Sequence, residues 1–369
     1  MRILVVGAGA IGGYFGGRLL EAGRDVTFLV RPRRAAELTR TGLAIRSRSG
    51  DIDIAGPPTV TAEALGSAFD LVLLSCKAYD LDGAMASFAP AVGPGTAILP
   101  LLNGIRHLDL LNARFGAERV LGGQCLISTM LDAEGRILHL VDTHALTFGE
   151  QSGQRTARAD AIAATLANAR FTLQLSDDIL QEMWEKWVFI ATTAGITCLM
   201  RAAIGDIVAA GAADLAASLL DEGTGIAASQ GFAPRAAFLE RTRAMISAPG
   251  SPITASMLRD IERGAPVEAD HILGDLLRRG GDAGRASLLP SPMRIPKPMR
   301  RGGPGNQRQG RDSLSLRFRV LVEGRTVDLQ RRERRNAPHS TRLVPRNTGR
   351  SVVGFRAGTS KNISAIQPR

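Results

Sequence analysis

The apolar positions of this chain follow two different rhythms. In the first part they come as short, nearly unbroken runs at Ile3 to Val6, within 25–31, within 69–76 and within 96–102, each suited to a strand buried on both faces. Stretches with helical spacing separate them, so a parallel sheet with crossover helices is predicted. A smaller unit over 43–54 alternates short β-like segments with turn residues. Further strands are predicted over 119–129, 137–141 and 145–149, the last two joined by a hairpin loop at Asp142 to His144. From about Thr156 the period lengthens to that of helices, over 156–170, 178–200, 206–230, 235–246, 254–263 and 266–279. After Gly284 the periodicity stops in mid-element. The expected organisation is an α/β domain over 1–155, an all-α domain over 156–284 and a tail over 285–369 without a stable fold.

The first apolar run passes directly into Gly7-Ala8-Gly9-Ala10-Ile11-Gly12, and a helix-compatible stretch follows up to Gly23. This is the strand, glycine turn and helix start of a Rossmann-type dinucleotide-binding domain. Gly7 permits the tight turn, Gly9 removes the side chain that would block a pyrophosphate, and Gly12 lets helix and strand approach. The helix N-terminus then offers its N–H groups to the phosphates. At the end of the second strand, where an NAD site usually carries a carboxylate, stands Arg31, followed by Pro32, Arg33 and Arg34. A guanidinium there can grip a 2′-phosphate, so the expected cofactor is NADPH/NADP+; the bland alternative is a solvated basic turn.

Composition adds few constraints. The formal net charge of +11 would suggest nucleic acid, but 19 of the 46 Lys and Arg lie beyond Arg285 against 4 acidic residues, leaving 27 basic and 31 acidic in the body. Nucleic-acid binding is therefore not expected of the body. No apolar run approaches the roughly 18–20 residues of a membrane span, and Met1 leads straight into the first strand, so a cytoplasmic location is expected. Cys76, Cys125 and Cys198 are scattered in apolar surroundings and read as reduced core residues; no metal site is expected. A homodimer is one option for the assembly, since core and interface helices share a periodicity.

Only four lysines stand against 42 arginines, and only Lys77 and Lys186 lie in the body. Where Arg is the default cation, a Lys is a candidate for chemistry that needs a proton released near neutral pH. Lys186 sits between Trp184 and Trp187 on an apolar helix, where desolvation would suit it to act as a general acid; a side chain snorkelling to the surface is the alternative. Lys77 and Asn103 each follow a strand directly, at the carboxyl edge where open α/β sheets bind ligands. Ser256 and Glu268 stand at predicted helix starts, and spacing alone favours capping for both.

Together these residues resemble the ketopantoate reductase (2-dehydropantoate 2-reductase) family, from Met1 to about Gly284. The resemblance rests on the N-terminal glycine motif, Arg31, Ser-Cys-Lys77-Ala, Leu-Asn103-Gly, Trp-Glu-Lys186, Ser256-Met-Leu-Arg-Asp-Ile and Val-Glu268-Ala-Asp-His-Ile. It implies NADPH-dependent reduction of 2-dehydropantoate to (R)-pantoate in pantothenate and coenzyme A synthesis. Lys186 would be the general acid, Glu268 would help place cofactor or substrate, Ser256 would bind substrate, and Lys77 and Asn103 would meet nicotinamide ribose and substrate. Where the best-known members carry asparagines, this chain has Ile190, Ala194 and Ile204. A pocket so built should not strongly prefer a hydroxylated substrate, which opens the alternative of another 2-oxo acid; a helical domain cut short after Gly284 that cannot close the cleft, or descent alone, would leave an NADP(H)-binding protein without catalysis. Arg201, the one cation of that apolar stretch, is the candidate for holding the carboxylate. The tail, rich in Arg, Pro, Gly and Ser, reads as an out-of-frame translation of a GC-rich gene, with a basic disordered tail as the rival.

Overall fold

A computed structural model describes residues 1–281 and three later strands. Five parallel strands form the central sheet: β1 (Arg2–Val6), β2 (Asp25–Leu29), a short β3 (Thr59–Val60), β4 (Leu71–Leu74) and β5 (Ala97–Pro100), in the order β3-β2-β1-β4-β5. Helices α1 (Ala10–Glu21) and α3 (Leu81–Phe88) cross between neighbouring strands, while α2 (Pro32–Thr41) and α4 (Arg106–Phe115) lead from this sheet to a second one. The chain leaves β1 toward β2 and later returns to lay β4 on β1's other side. That reversal opens a crevice beyond the carboxyl ends of β1 and β4.

Period-two alternation divides the core. Ile3, Val5, Leu71 and Leu73 face α1 and a second sheet, while Leu4, Val6, Val72 and Leu74 face a core continuous with that of the helical domain. The second sheet contains β6 (Leu43–Arg46), β7 (Ile52–Ile54), β8 (Leu121–Leu131), β9 (Ile137–Glu150) and β10 (Thr172–Leu175). β8 and β9 run antiparallel, joined by a turn at Asp132 to Arg136.

Two expectations are corrected here. Residues 137–149 are one strand rather than two: the ladder steps from Ile127↔His144 to Thr129↔His139, so Leu140 to Thr143 bulge out while both halves stay on the same partner. Residues 156–175 pack with the first domain. α5 (Ala157–Leu166) buries Ile162 and Leu166 against its core and β10 pairs in parallel with β9, so the helical region opens only at α6 (Ile179–Met200).

After α6 come α7 (Ile204–Ala209), α8 (Ala213–Ser229), α9 (Ala236–Ile246) and α10 (Ser256–Glu262), then a wide turn at Asp270–Gly274 leading into α11 (Asp275–Arg279). Among the described residues no helix is long and apolar enough to cross a membrane. Most of the tail lies outside the described residues. Within it three antiparallel strands are described, β11 (Ser315–Val322), β12 (Arg325–Arg332) and β13 (Leu343–Pro345), and the expectation for the remainder of the tail falls outside the described residues. The register pairs Phe318 with Leu329 and Val320 with Val327, a short period-two pattern that the Arg-rich composition hides.

Candidate functional site

The glycine loop is built as the motif requires. Gly7 takes φ +94°, and a Cβ on Gly12 would stand 2.1 Å from the Gly7 carbonyl oxygen and 2.1 Å from Ser75 Oγ. Gly9, by contrast, faces open space, with nothing within 4 Å of where its Cβ would be. Helix α1 therefore begins against the end of β1 with room above the loop, a cradle of the shape a pyrophosphate needs. Ser75, at the end of β4, donates its hydroxyl to the Val6 oxygen at 2.9 Å and so ties the loop to the neighbouring strand. At the far side Arg34 reaches back to the Ala8 oxygen at 3.1 Å. Arg31 stands at the end of β2 with 79% of its side chain exposed, leaning on Asp80 at 2.8 Å. An exposed guanidinium beside that loop fits a 2′-phosphate, and the described residues thus fit NADP(H) from end to end.

A second group of residues joins the two domains. Lys77 Nζ lies 3.1 Å from Glu268 Oε2 and 3.3 Å from Asp260 Oδ2, and the Ala78 N–H donates to Glu268 Oε1 at 2.9 Å. Burial works against the Lys77 charge, but the two carboxylates outweigh it and raise its pKa. Ser256 stands exposed one turn before Asp260 on α10. Neither residue caps as spacing alone suggests. Ala255 is the N-cap of α10, without a side-chain bond, and Glu268 spends its carboxylate on the loop after β4.

Three residues beyond Glu268, His271 Nε2 donates to the backbone oxygen of Asn103 at 2.8 Å. This bond joins the interdomain cluster to the loop after β5. His271 stacks at 5.8 Å on His107, which is 0% exposed and has no partner for either ring nitrogen among the described residues. Burial lowers both histidine pKa values, that of His107 most strongly.

Lys186 completes the arrangement. Its side chain turns inward, Nζ donating to the Cys125 oxygen at 2.6 Å, instead of snorkelling outward. Lys186, Asn103, Gly104, Gln124 and Trp187 line one tight cavity between the domains, too narrow as it stands for a water molecule. Burial lowers the Lys186 pKa, with no carboxylate opposing it, whereas the Lys77 pKa moves the other way.

The structure does not bring Arg201 into this group. Arg201 is the left-handed C-cap of α6, fifteen residues beyond Lys186, or about 22 Å along the helix axis. In a 2-oxo acid the carboxylate is bonded to the carbonyl carbon, so a group that grips it must stand close to Lys186. Ala194 and Ile204 are 3% and 0% exposed within the helical core, and Ile190 packs at its edge. Ser75, Gln124, Asp260, His107 and His271 were missed by sequence reasoning. Ser75, Asp260 and His271 lie inside the motifs Ser-Cys-Lys77-Ala, Ser256-Met-Leu-Arg-Asp-Ile and Val-Glu268-Ala-Asp-His-Ile and could have been found from them; Gln124 and His107 carry no such signal. Among the described residues no group of His, Cys, Asp and Glu is placed to hold a metal, and all three cysteines are free.

Two family models match the chain: Ketopantoate reductase PanE/ApbA over residues 3–153 and Ketopantoate reductase PanE/ApbA C terminal over 178–287. An uncharacterized oxidoreductase, YkpB of Bacillus subtilis, is 39% identical over 280 residues, covering 76% of this chain and 92% of that protein. A 2-dehydropantoate 2-reductase of Mesorhizobium japonicum is 29% identical, covering 76% and 91%. The crystal structure of 2-dehydropantoate 2-reductase from Geobacter metallireducens superposes with a TM-score of 0.70 at 30% identity, over 77% of this chain and 94% of that one.

Proposed function

Because the chain belongs to the ketopantoate reductase family, we propose that this NADP-dependent oxidoreductase reduces a 2-oxo acid in the cytoplasm, foremost 2-dehydropantoate to (R)-pantoate for pantothenate and coenzyme A synthesis. The observation that carries the reading is the inward ammonium of Lys186, sharing a cavity with Asn103 at the carboxyl edge of the parallel sheet.

NADPH, when bound, supplies a hydride to the 2-oxo carbon. The glycine loop would hold its pyrophosphate and Arg31 its 2′-phosphate. Lys186 Nζ gives its proton to the carbonyl oxygen, leaving a neutral amine that water reprotonates; its lowered pKa makes that release easier than from a solvent-exposed lysine. The Cys125 oxygen fixes one N–H and so aims the others. Glu268 and Lys77 hold the two domains at one separation and, with Ser256 and Asn103, form the polar rim that substrate and nicotinamide ribose meet.

Ile190, Ala194 and Ile204 pack in or against the helical core and offer no polar group where the resemblance expects asparagines, which supports a second reading, a branched or apolar 2-oxo acid that lacks the substrate hydroxyl. Absorbance of NADPH with 2-dehydropantoate, 2-oxoisovalerate and 2-oxoisocaproate separates the two. A kcat/KM highest for 2-dehydropantoate supports the pantothenate assignment, and preference for the unhydroxylated acids keeps the chemistry and discards the pathway.

A further inference from the structure

Gln124 lies on β8 immediately after Gly123, whose Cβ, if present, would stand 2.5 Å from the Pro100 oxygen at the end of β5. Its side chain therefore enters the Lys186 cavity next to the carboxyl end of the last parallel strand. The amide is not free to turn. Gln124 Nε2 donates to Glu182 Oε2 at 3.3 Å, and the other oxygen of that carboxylate accepts the Ser176 hydroxyl at 2.6 Å. A carboxylate can only accept, so the NH2 group of Gln124 must face Glu182 and Oε1 must face away. Oε1 is buried and has no partner among the described residues. A buried acceptor left unpaired costs on the order of 1–3 kcal/mol, which a bound molecule with a donor at this point would recover.

The sheet order says which donor that is. With the 2′-phosphate at β2 and the pyrophosphate at β1, the nicotinamide end of a dinucleotide extends past β4 toward β5 and β8. The reacting end of a 2-oxo acid offers only acceptors, whereas the nicotinamide carboxamide offers N–H groups. We infer that Gln124 Oε1 accepts a hydrogen bond from the nicotinamide carboxamide and thereby fixes which way the ring faces in the cavity. Gln124 is a positioning residue. The inference rests on the dinucleotide site and on no choice of substrate.

The test compares NADP+ with its 3-acetylpyridine analogue, which keeps the carbonyl but has no N–H. Binding to the full chain is followed by tryptophan emission, since Trp187 lines the same cavity. The wild type should bind NADP+ about tenfold more tightly than the analogue, and Gln124→Met should bind both equally, at the weaker level. Glu182→Gln, which frees the amide to turn, should lose part of the discrimination; it serves as the second variant should Gln124→Met not fold. The same ratio in wild type and Gln124→Met overturns the assignment. Weak binding of both dinucleotides by every variant overturns the dinucleotide site itself.

Discussion

The ammonium of Lys186 lies 2.6 Å from the carbonyl oxygen of Cys125, a donor on the long helix of the second domain meeting a backbone acceptor on β8. The bond holds Lys186, which has no carboxylate partner among the described residues, in the cavity between the domains. Lys186→Met keeps the length of the side chain and removes the proton. Its kcat should fall about a hundred- to ten-thousand-fold while the NADPH dissociation constant stays within about twofold. Because the protonated amine is the working form, reduction should decline as pH rises through the Lys186 pKa, which burial places below the ordinary 10.5. A pH–rate profile of the wild type shows this limb, and Lys186→Met lacks it.

Gly9 and Gly12 separate binding from folding. A methyl on Gly12 would strike a backbone oxygen at 2.1 Å, whereas one on Gly9 meets nothing. Gly12→Ala should therefore lower the thermal midpoint, at a cost of about 1–3 kcal/mol as in other overpacked sites. Gly9→Ala should leave the midpoint unchanged yet weaken NADPH binding about tenfold or more by standing where the phosphates lie. Calorimetric melting and NADPH fluorescence titration of the two variants check the pair.

The Arg31 side chain is exposed and, among the described residues, its one ion pair is with Asp80, so its removal should disturb the fold little. Losing a charge-assisted bond to a 2′-phosphate is worth about 1.5–3 kcal/mol. Arg31→Ala should raise the NADPH dissociation constant about ten- to a hundredfold and leave that for NADH within about twofold. Parallel titrations with both cofactors read the difference.

The parallel strands, the glycine loop and the positions of Arg31 and Lys77 were legible because each follows a local rule: an unbroken apolar run, a glycine spacing, a charge directly after a strand; Lys186 stood out as a scarce lysine between two tryptophans on an apolar helix. The capping reading of Ser256 and Glu268 failed because what Glu268 does depends on Ala78 and Lys77, which only the packing of two domains brings near. Arg201 was singled out as the lone cation of its stretch. Charge along the chain gives no distance, and one straight helix carries Arg201 far from Lys186. β10 was read as part of the helical region because four residues beside an Ala-rich helix have too weak a pattern to show that they extend a sheet.

His107 and His271 stack in the same interior, and burial holds both below the usual histidine range. In the unfolded chain they titrate near 6.5. As pH falls through that value the unfolded state takes up protons that the folded state refuses, so stability should drop from about pH 6.5 downward, by up to about 1.4 kcal/mol per pH unit for each ring. The thermal midpoint measured from pH 7.5 to 5 should show the decline, and His107→Phe should make it shallower.

Transfer of label from NADPH deuterated at both C4 positions tests the role of Lys186 and the reductase assignment most directly. Incubated with 2-dehydropantoate and the other 2-oxo acids, the wild type should give a 2-hydroxy acid carrying one deuterium at C2 by mass spectrometry, and Lys186→Met should give almost none in the same time. Labelled product at equal rates from both proteins would contradict the role of Lys186. NADPH bound by the wild type with no labelled product from any 2-oxo acid would contradict the reductase assignment.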